Sequence, residues 1–291
     1  MFPGMGHVKN FLLCTAIILT CGFSSSASDK NHPQFTIVQL TDIHYTSTPP
    51  KTTPLSRKYY IHIFGYKLHK PDLANSTRIL QNTLEYINKE IKPDMVVITG
   101  DIVNSGDDKE GMKQVKNMLN KLNCPYYPVI GDHDLNSGQD KKENYKEVFG
   151  KINYSLDYKG WHVIILGIHP DDNDMEWLKN ELDAKADKPA ILCMHKMLIA
   201  SRLMKKLSKR YYCPELTSPK AEQILNLLNN HGRTGVVLSG HSHTNYRTSR
   251  NRISYISTAS LIEPPYQFRI IRVYKDRIST SVKTAHPLKE K

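Results

Sequence analysis

The chain has 291 residues, enough to bury a full core without disulfide staples, and its mean hydropathy of −0.48 excludes a multi-span membrane protein. Gly (15), Pro (16) and Cys (5) are too few for a collagen-like chain, a low-complexity chain or a disulfide scaffold. Lys and Arg (40) exceed Asp and Glu (28), a net charge of +12; scattered rather than banked in one run, they read first as a solvated surface and second as an attraction for phosphate esters, nucleic acid or an acidic membrane face.

The chain opens like an address. Lys9 is the only formally charged residue before Asp29, Phe11 to Cys21 is apolar apart from two threonines, and Ser24 to Ser28 are small. Residues 1–27 therefore read as a signal peptide with Ser25 and Ala27 at the cleavage zone, so that the protein is exported: periplasmic, envelope-anchored or secreted. The competing cut precedes Cys21 within Ile18-Leu19-Thr20-Cys21, a lipoprotein-type box with Thr20 where a smaller residue is usual; lipidation there is the one membrane attachment the sequence suggests. Cys124, Cys193 and Cys213 remain in the body, an odd number with no metal-binding spacing.

The body, 33–285, alternates strand and helix. Phe35 to Leu40 is a short apolar strand, and Tyr45 to Lys70, with three prolines, is a loop or small insertion. Asn75 to Lys89 has helical periodicity with Ser76 as its cap. Met95 to Ile98 is a strand, Gly111 to Leu122 a helix and Tyr127 to Ile130 a strand. Tyr154 to Tyr158 and Trp161 to Leu166 form a hairpin about Lys159-Gly160. Met175 to Ala184 is a helix, Ala190 to Met194 a strand, Pro219 to Asn230 a helix and Gly235 to Leu238 a strand; strands dominate from Ser254 to Val282. The order predicts layered sheets flanked by helices, with no linker to a second domain.

Five apolar runs end in ligand-type residues: Asp42 and His44, then Gly100-Asp101, then Gly131-Asp132-His133-Asp134, then His195, then Gly240-His241-Ser242-His243. Strand ends of an open α/β sheet converge on one edge, and carboxylates with imidazoles suit divalent Mn, Fe, Zn or Co. Any one piece is a turn signal; all five in order are not.

Together the residues resemble the calcineurin-like metallophosphoesterase superfamily, whose ordered pattern is D-x-H, GD, GNH[DE], H and GHxH. Glu176-Trp177-Leu178 and the segment 258–274 look like the branch holding the class III cyclic-nucleotide phosphodiesterases. The resemblance implies an α/β four-layer sandwich, two mixed β-sheets flanked by helices, with two divalent metal ions. It implies Asp42, His44 and His243 as ligands of one ion, Asp132, His195 and His241 as ligands of the other, and Asp101 as the bridge. His133 matches a phosphate-contacting general acid, with Asp134 holding its ring. The implied activity is hydrolysis of a small phosphodiester or phosphomonoester by attack of a metal-bridging hydroxide. No base-stacking platform is legible, which ranks a nuclease and nucleic-acid partners lower. The non-enzymatic alternative is an envelope protein binding phosphate-bearing ligands.

Two departures stand out. Asp132 replaces the usual Asn and adds a negative charge, which predicts tighter binding of its ion and a less acidic bridging water. Asn104 stands where purple acid phosphatases carry an iron-binding Tyr. His169, Asp171, Asp172 and Asp174 read as a solvated helix start rather than a second metal site. Oligomeric state is not legible.

Overall fold

The computed structural model describes residues 32–48, 62–63, 66–67, 71–202, 204–206 and 216–285. The signal segment, Cys21 and Cys213 lie outside them. The chain divides into two units, Met1–His32 and Pro33–Lys291, and the sheets and helices of the described residues belong to the second.

Two sheets make its centre. The five-stranded sheet has the order β13 (Ile278–Thr284), β12 (Gln267–Val273), β1 (Phe35–Leu40), β4 (Met95–Thr99), β5 (Tyr126–Val129). The six-stranded sheet has the order β10 (Tyr246–Arg250), β11 (Ile253–Ser257), β9 (Thr234–Ser239), β8 (Ala190–Cys193), β7 (Trp161–Ile165), β6 (Tyr154–Tyr158). Each is mixed: β1, β4 and β5 are parallel, with β12 antiparallel to both β1 and β13, and β7, β8, β9 and β11 are parallel, with β6 and β10 antiparallel at the two edges. β2 (His62–Ile63) and β3 (Tyr66–Lys67) form a two-residue ribbon within the predicted insertion.

Strand alternation explains the layers, because successive side chains leave opposite faces of a sheet. Phe35, Ile37, Met95 and Val97 face Val163, Ile165, Ile191, Cys193, Val236 and Leu238 in the core between the sheets. Val38, Leu40, Val96 and Ile98 face outward onto α1 (Ser76–Tyr86), α2 (Lys109–Leu119) and α3 (Glu143–Phe149). Ile164, Leu192 and Val237 face α4 (Asp172–Ala184) and α5 (Ala221–His231) on the other side. Each fully buried aliphatic side chain contributes about 1.5–3 kcal/mol. The result is the expected four-layer sandwich. No helix of the described residues is long and apolar enough to cross a membrane.

Details differ from the sequence reading where local chemistry overrides periodicity. Ser76 is the first residue of α1 rather than its cap, and its hydroxyl has no partner among the described residues. α1 runs into a wide turn, Ile87–Ile91, and stops at left-handed Lys92 before Pro93. α2 begins two residues early because Asp108 caps it, accepting from the Gly111 N–H. α4 begins early because Asp171 and Asp174 form a capping box, which commits the acidic cluster to the helix start. α3 and β10 were not anticipated.

Candidate metal centre

The five ligand-bearing loops leave the same edge of the sandwich. The main-chain ladder continues past the strands to hold them: Asp42 N donates to Gly100 O (3.0 Å), His44 N to Asp101 O (2.9 Å) and Gly240 N to His195 O (2.9 Å). Asp42, His44, Asp101, His241 and His243 all have φ between 43° and 63°. Such non-glycine left-handed residues cost about 1 kcal/mol or more each, and here they turn five polar side chains inward. Close packing also dictates two glycines: a Cβ on Gly100 would run into the His195 ring, and one on Gly131 into the Asp101 carboxylate.

The side chains gather as two sets that share one member. Asp42, His44, His243 and Asp101 offer donor atoms within 4.8 Å of one another, and so do Asp132, His195, His241 and Asp101. In the first set His44 Nε2 lies 3.2 Å from His243 Nε2 and 3.6 Å from Asp101 Oδ2, and His243 Nε2 lies 3.2 Å from Asp42 Oδ1. In the second, His195 Nε2 is 2.9 Å from Asp132 Oδ1, 3.3 Å from Asp101 Oδ1 and 3.1 Å from His241 Nδ1. Asp101 thus presents one oxygen to each set.

This packing fits divalent cations. Imidazole nitrogens face each other in both sets, and a pair of facing nitrogens shares at most one proton. Two outer ring nitrogens have acceptors: His195 Nδ1 donates to Thr99 O (2.7 Å) and His243 Nδ1 to Glu263 Oε1 (2.6 Å), whereas the buried His44 Nδ1 has no hydrogen-bond partner among the described residues. The inner nitrogens then carry lone pairs directed at carboxylate oxygens, an arrangement that a cation between them satisfies. Protons stand in for the cations here. Burial alone would lower the His195 pKa, but Asp101, Asp132 and Asp42 override it and hold it well above the usual imidazole value. Burial is likewise overridden at His243, by Glu263 and Asp42. His44 goes the other way: burial pushes it down to about 4 against the pull of Asp101. At Asp101 and Asp132 burial opposes ionisation, yet the neighbouring imidazoles, His195 foremost, hold both below the usual carboxylate range.

His133 stands at the rim. Its ring is exposed, sits edge-on to His44 (centroids 4.6 Å apart, 88° between planes) and places Nδ1 3.0 Å from Asn104 O. Its backbone N–H donates to Asp101 Oδ1 (2.9 Å). Asp134 does not hold that ring, contrary to expectation. It is fully buried, and its two oxygens accept from Val103 N (3.0 Å) and Gly131 N (2.8 Å), so it braces the Asp101 loop against the Asp132 loop. Burial, then the Asp101 charge, raises its pKa to about 7. The main-chain oxygen of Asn104 does the orienting instead, at a position noticed in the sequence only for lacking a Tyr. Glu263 was also missed, since it follows β11 at no strand-end motif and no spacing betrays it.

The sequence model of the calcineurin-like phosphoesterase family matches residues 35–245. Among curated relatives, a probable glycerophosphodiester phosphodiesterase of Arcobacter nitrofigilis is 25% identical over 63% of this chain and 69% of its own length. A 3′,5′-cyclic-nucleotide phosphodiesterase of Nostoc is 21% identical over 80% and 79%. Among solved structures, a dimetal phosphatase from Danio rerio superposes with a TM-score of 0.68 at 14% identity, over 87% of this chain and 97% of that one.

Proposed function

This chain belongs to the calcineurin-like phosphoesterase family and is a metal-dependent phosphoric ester hydrolase, and from that premise we propose that its substrate is a small phosphodiester and that it works outside the cytosol. The observation that carries the reading is Asp101, one carboxylate offering separate oxygens to two donor sets beside an exposed imidazole. The names of the relatives favour a diester over a monoester, and the N-terminal sequence favours export.

Asp42, His44 and His243 would hold one divalent cation, Asp132, His195 and His241 a second, and Asp101 both. When bound, the pair supplies Lewis acidity and an activated water to a phosphoryl group. The remaining work falls to the chain. The Nδ1–H of His133 would donate to Asn104 O, which leaves an Nε2–H to contact the phosphate and to pass its proton to the departing alkoxide. Asp134 keeps the two loops that carry Asp101 and His133 in register. The burial of Asp42, His44 and Asp101 keeps water from competing for their donor atoms.

The test is metal content after purification together with hydrolysis of bis-p-nitrophenyl phosphate against p-nitrophenyl phosphate. Faster turnover of the diester by protein holding two ions per chain is the expected result. Preference for the monoester would reject the substrate class, and two bound ions with no turnover would reject catalysis.

A further inference from the structure

At the opposite ends of the same strands lies a concavity of about 680 Å³. Gln34, just before β1, lines it, with Trp161 at the start of β7, Gly235 in β9 and Ile278 at the start of β13. β9 runs from this cleft to the metal centre, so the two are separated by about six residues of strand, roughly 17–20 Å.

Five cations surround the cleft, Lys159, Arg233, Arg247, Lys275 and Arg277, against the single carboxylate of Asp276. Lys159 is committed to Asp94 (2.8 Å) and Arg277 to Asp276 (3.2 Å). Arg233, Arg247 and Lys275 are exposed and form no ion pair among the described residues.

We propose that this basic edge docks on the phosphate headgroups of an anionic bilayer, which turns the metal centre at the far ends of the strands away from the lipid. The arrangement of charge chooses lipid over a soluble anion. The three uncommitted cations are long, exposed side chains around an open concavity, suited to an array of headgroups rather than one enclosed ion, and the net charge of +12 adds to the attraction of an anionic surface.

The test uses the full chain with vesicles of phosphatidylcholine alone or mixed with phosphatidylglycerol. Arg233→Gln, Arg247→Gln and Lys275→Gln are combined in one variant. An equal-charge control combines Lys89→Gln, Lys113→Gln and Lys179→Gln on exposed helix faces. A basic residue at an anionic surface changes partitioning roughly fivefold, so the cleft variant loses about a hundredfold of the phosphatidylglycerol-dependent binding while the control stays within a few fold. Both variants keep phosphoesterase activity. Vesicles protect the amides of residues 233–235 and 251–254 from hydrogen exchange. Equal losses in the two variants, no preference for phosphatidylglycerol, or protection centred on residues 240–243 would each overturn the docking face.

Discussion

The two donor sets share Asp101 but are built differently. Asp42 is fully buried and takes hydrogen bonds from the Thr41 hydroxyl (2.7 Å) and the His241 N–H, and His243 is backed by the buried carboxylate of Glu263. That half is assembled by the protein alone. In the other half His195 is backed by a main-chain carbonyl, and the Asp132 side chain is one third exposed on its loop. The first pocket is shaped for retention and the second for access, which is what a site must combine to keep its metal and still admit a substrate.

The largest perturbation of this contrast removes what the halves share. Asp101→Ala should lower turnover on the order of a thousandfold or more and reduce bound metal from two ions to one or none by elemental analysis. Retention of two ions would show that the halves are independent. His133→Asn should cost about a hundredfold or more with poor leaving groups and much less with p-nitrophenolate. Equal losses for both would leave the ring a positioning contact only. Glu263→Gln should weaken one ion about ten- to hundredfold and spare the other, read by competition with a chelator. Weakening of both ions alike would erase the contrast between the halves. Asp132→Asn should keep two ions and move the pH–rate profile to lower pH by up to about one unit, because one negative charge leaves the second half. An unchanged or alkaline-shifted profile contradicts this.

The smallest effect concerns the metal-free chain. The Asp134 pKa is raised from 3.8 to about 7, and those of His195 and His243 are raised as well. The folded state therefore binds protons that the unfolded state has released. This contribution is whole below about pH 4 for Asp134 and is lost as pH rises through about 7. His44, lowered to about 4, contributes with the opposite sign over the same range, so the Asp134 part is read as a difference: in chelator, the Tm advantage of the wild type over Asp134→Asn should shrink from pH 4 to 7. An advantage that grows from pH 5 to 7 would contradict the assignment.

Much of this was legible in the sequence because strand ends announce themselves. A buried apolar run closed by Gly-Asp or Gly-His leaves little choice of place, and all seven ligand-type residues meet where the runs converge. The parts that failed depend on what lies across space. Asp134 follows His133 directly, but both lie in the turn after β5, where the Asp134 carboxylate faces two backbone amides while the His133 ring stands at the rim. Glu263 reaches His243 only because β11 lies beside β9, a pairing that periodicity does not encode. α3 escaped because Tyr145 and Val148 are its only buried residues, too short an apolar stripe to read as a helix.

The most direct test of the shared carboxylate is anomalous diffraction from crystals grown with manganese. Two peaks should appear about 3.5–4 Å apart, one on each side of Asp101, with Glu263 still hydrogen-bonded behind His243. A single peak, or two that do not both touch Asp101, would contradict the account.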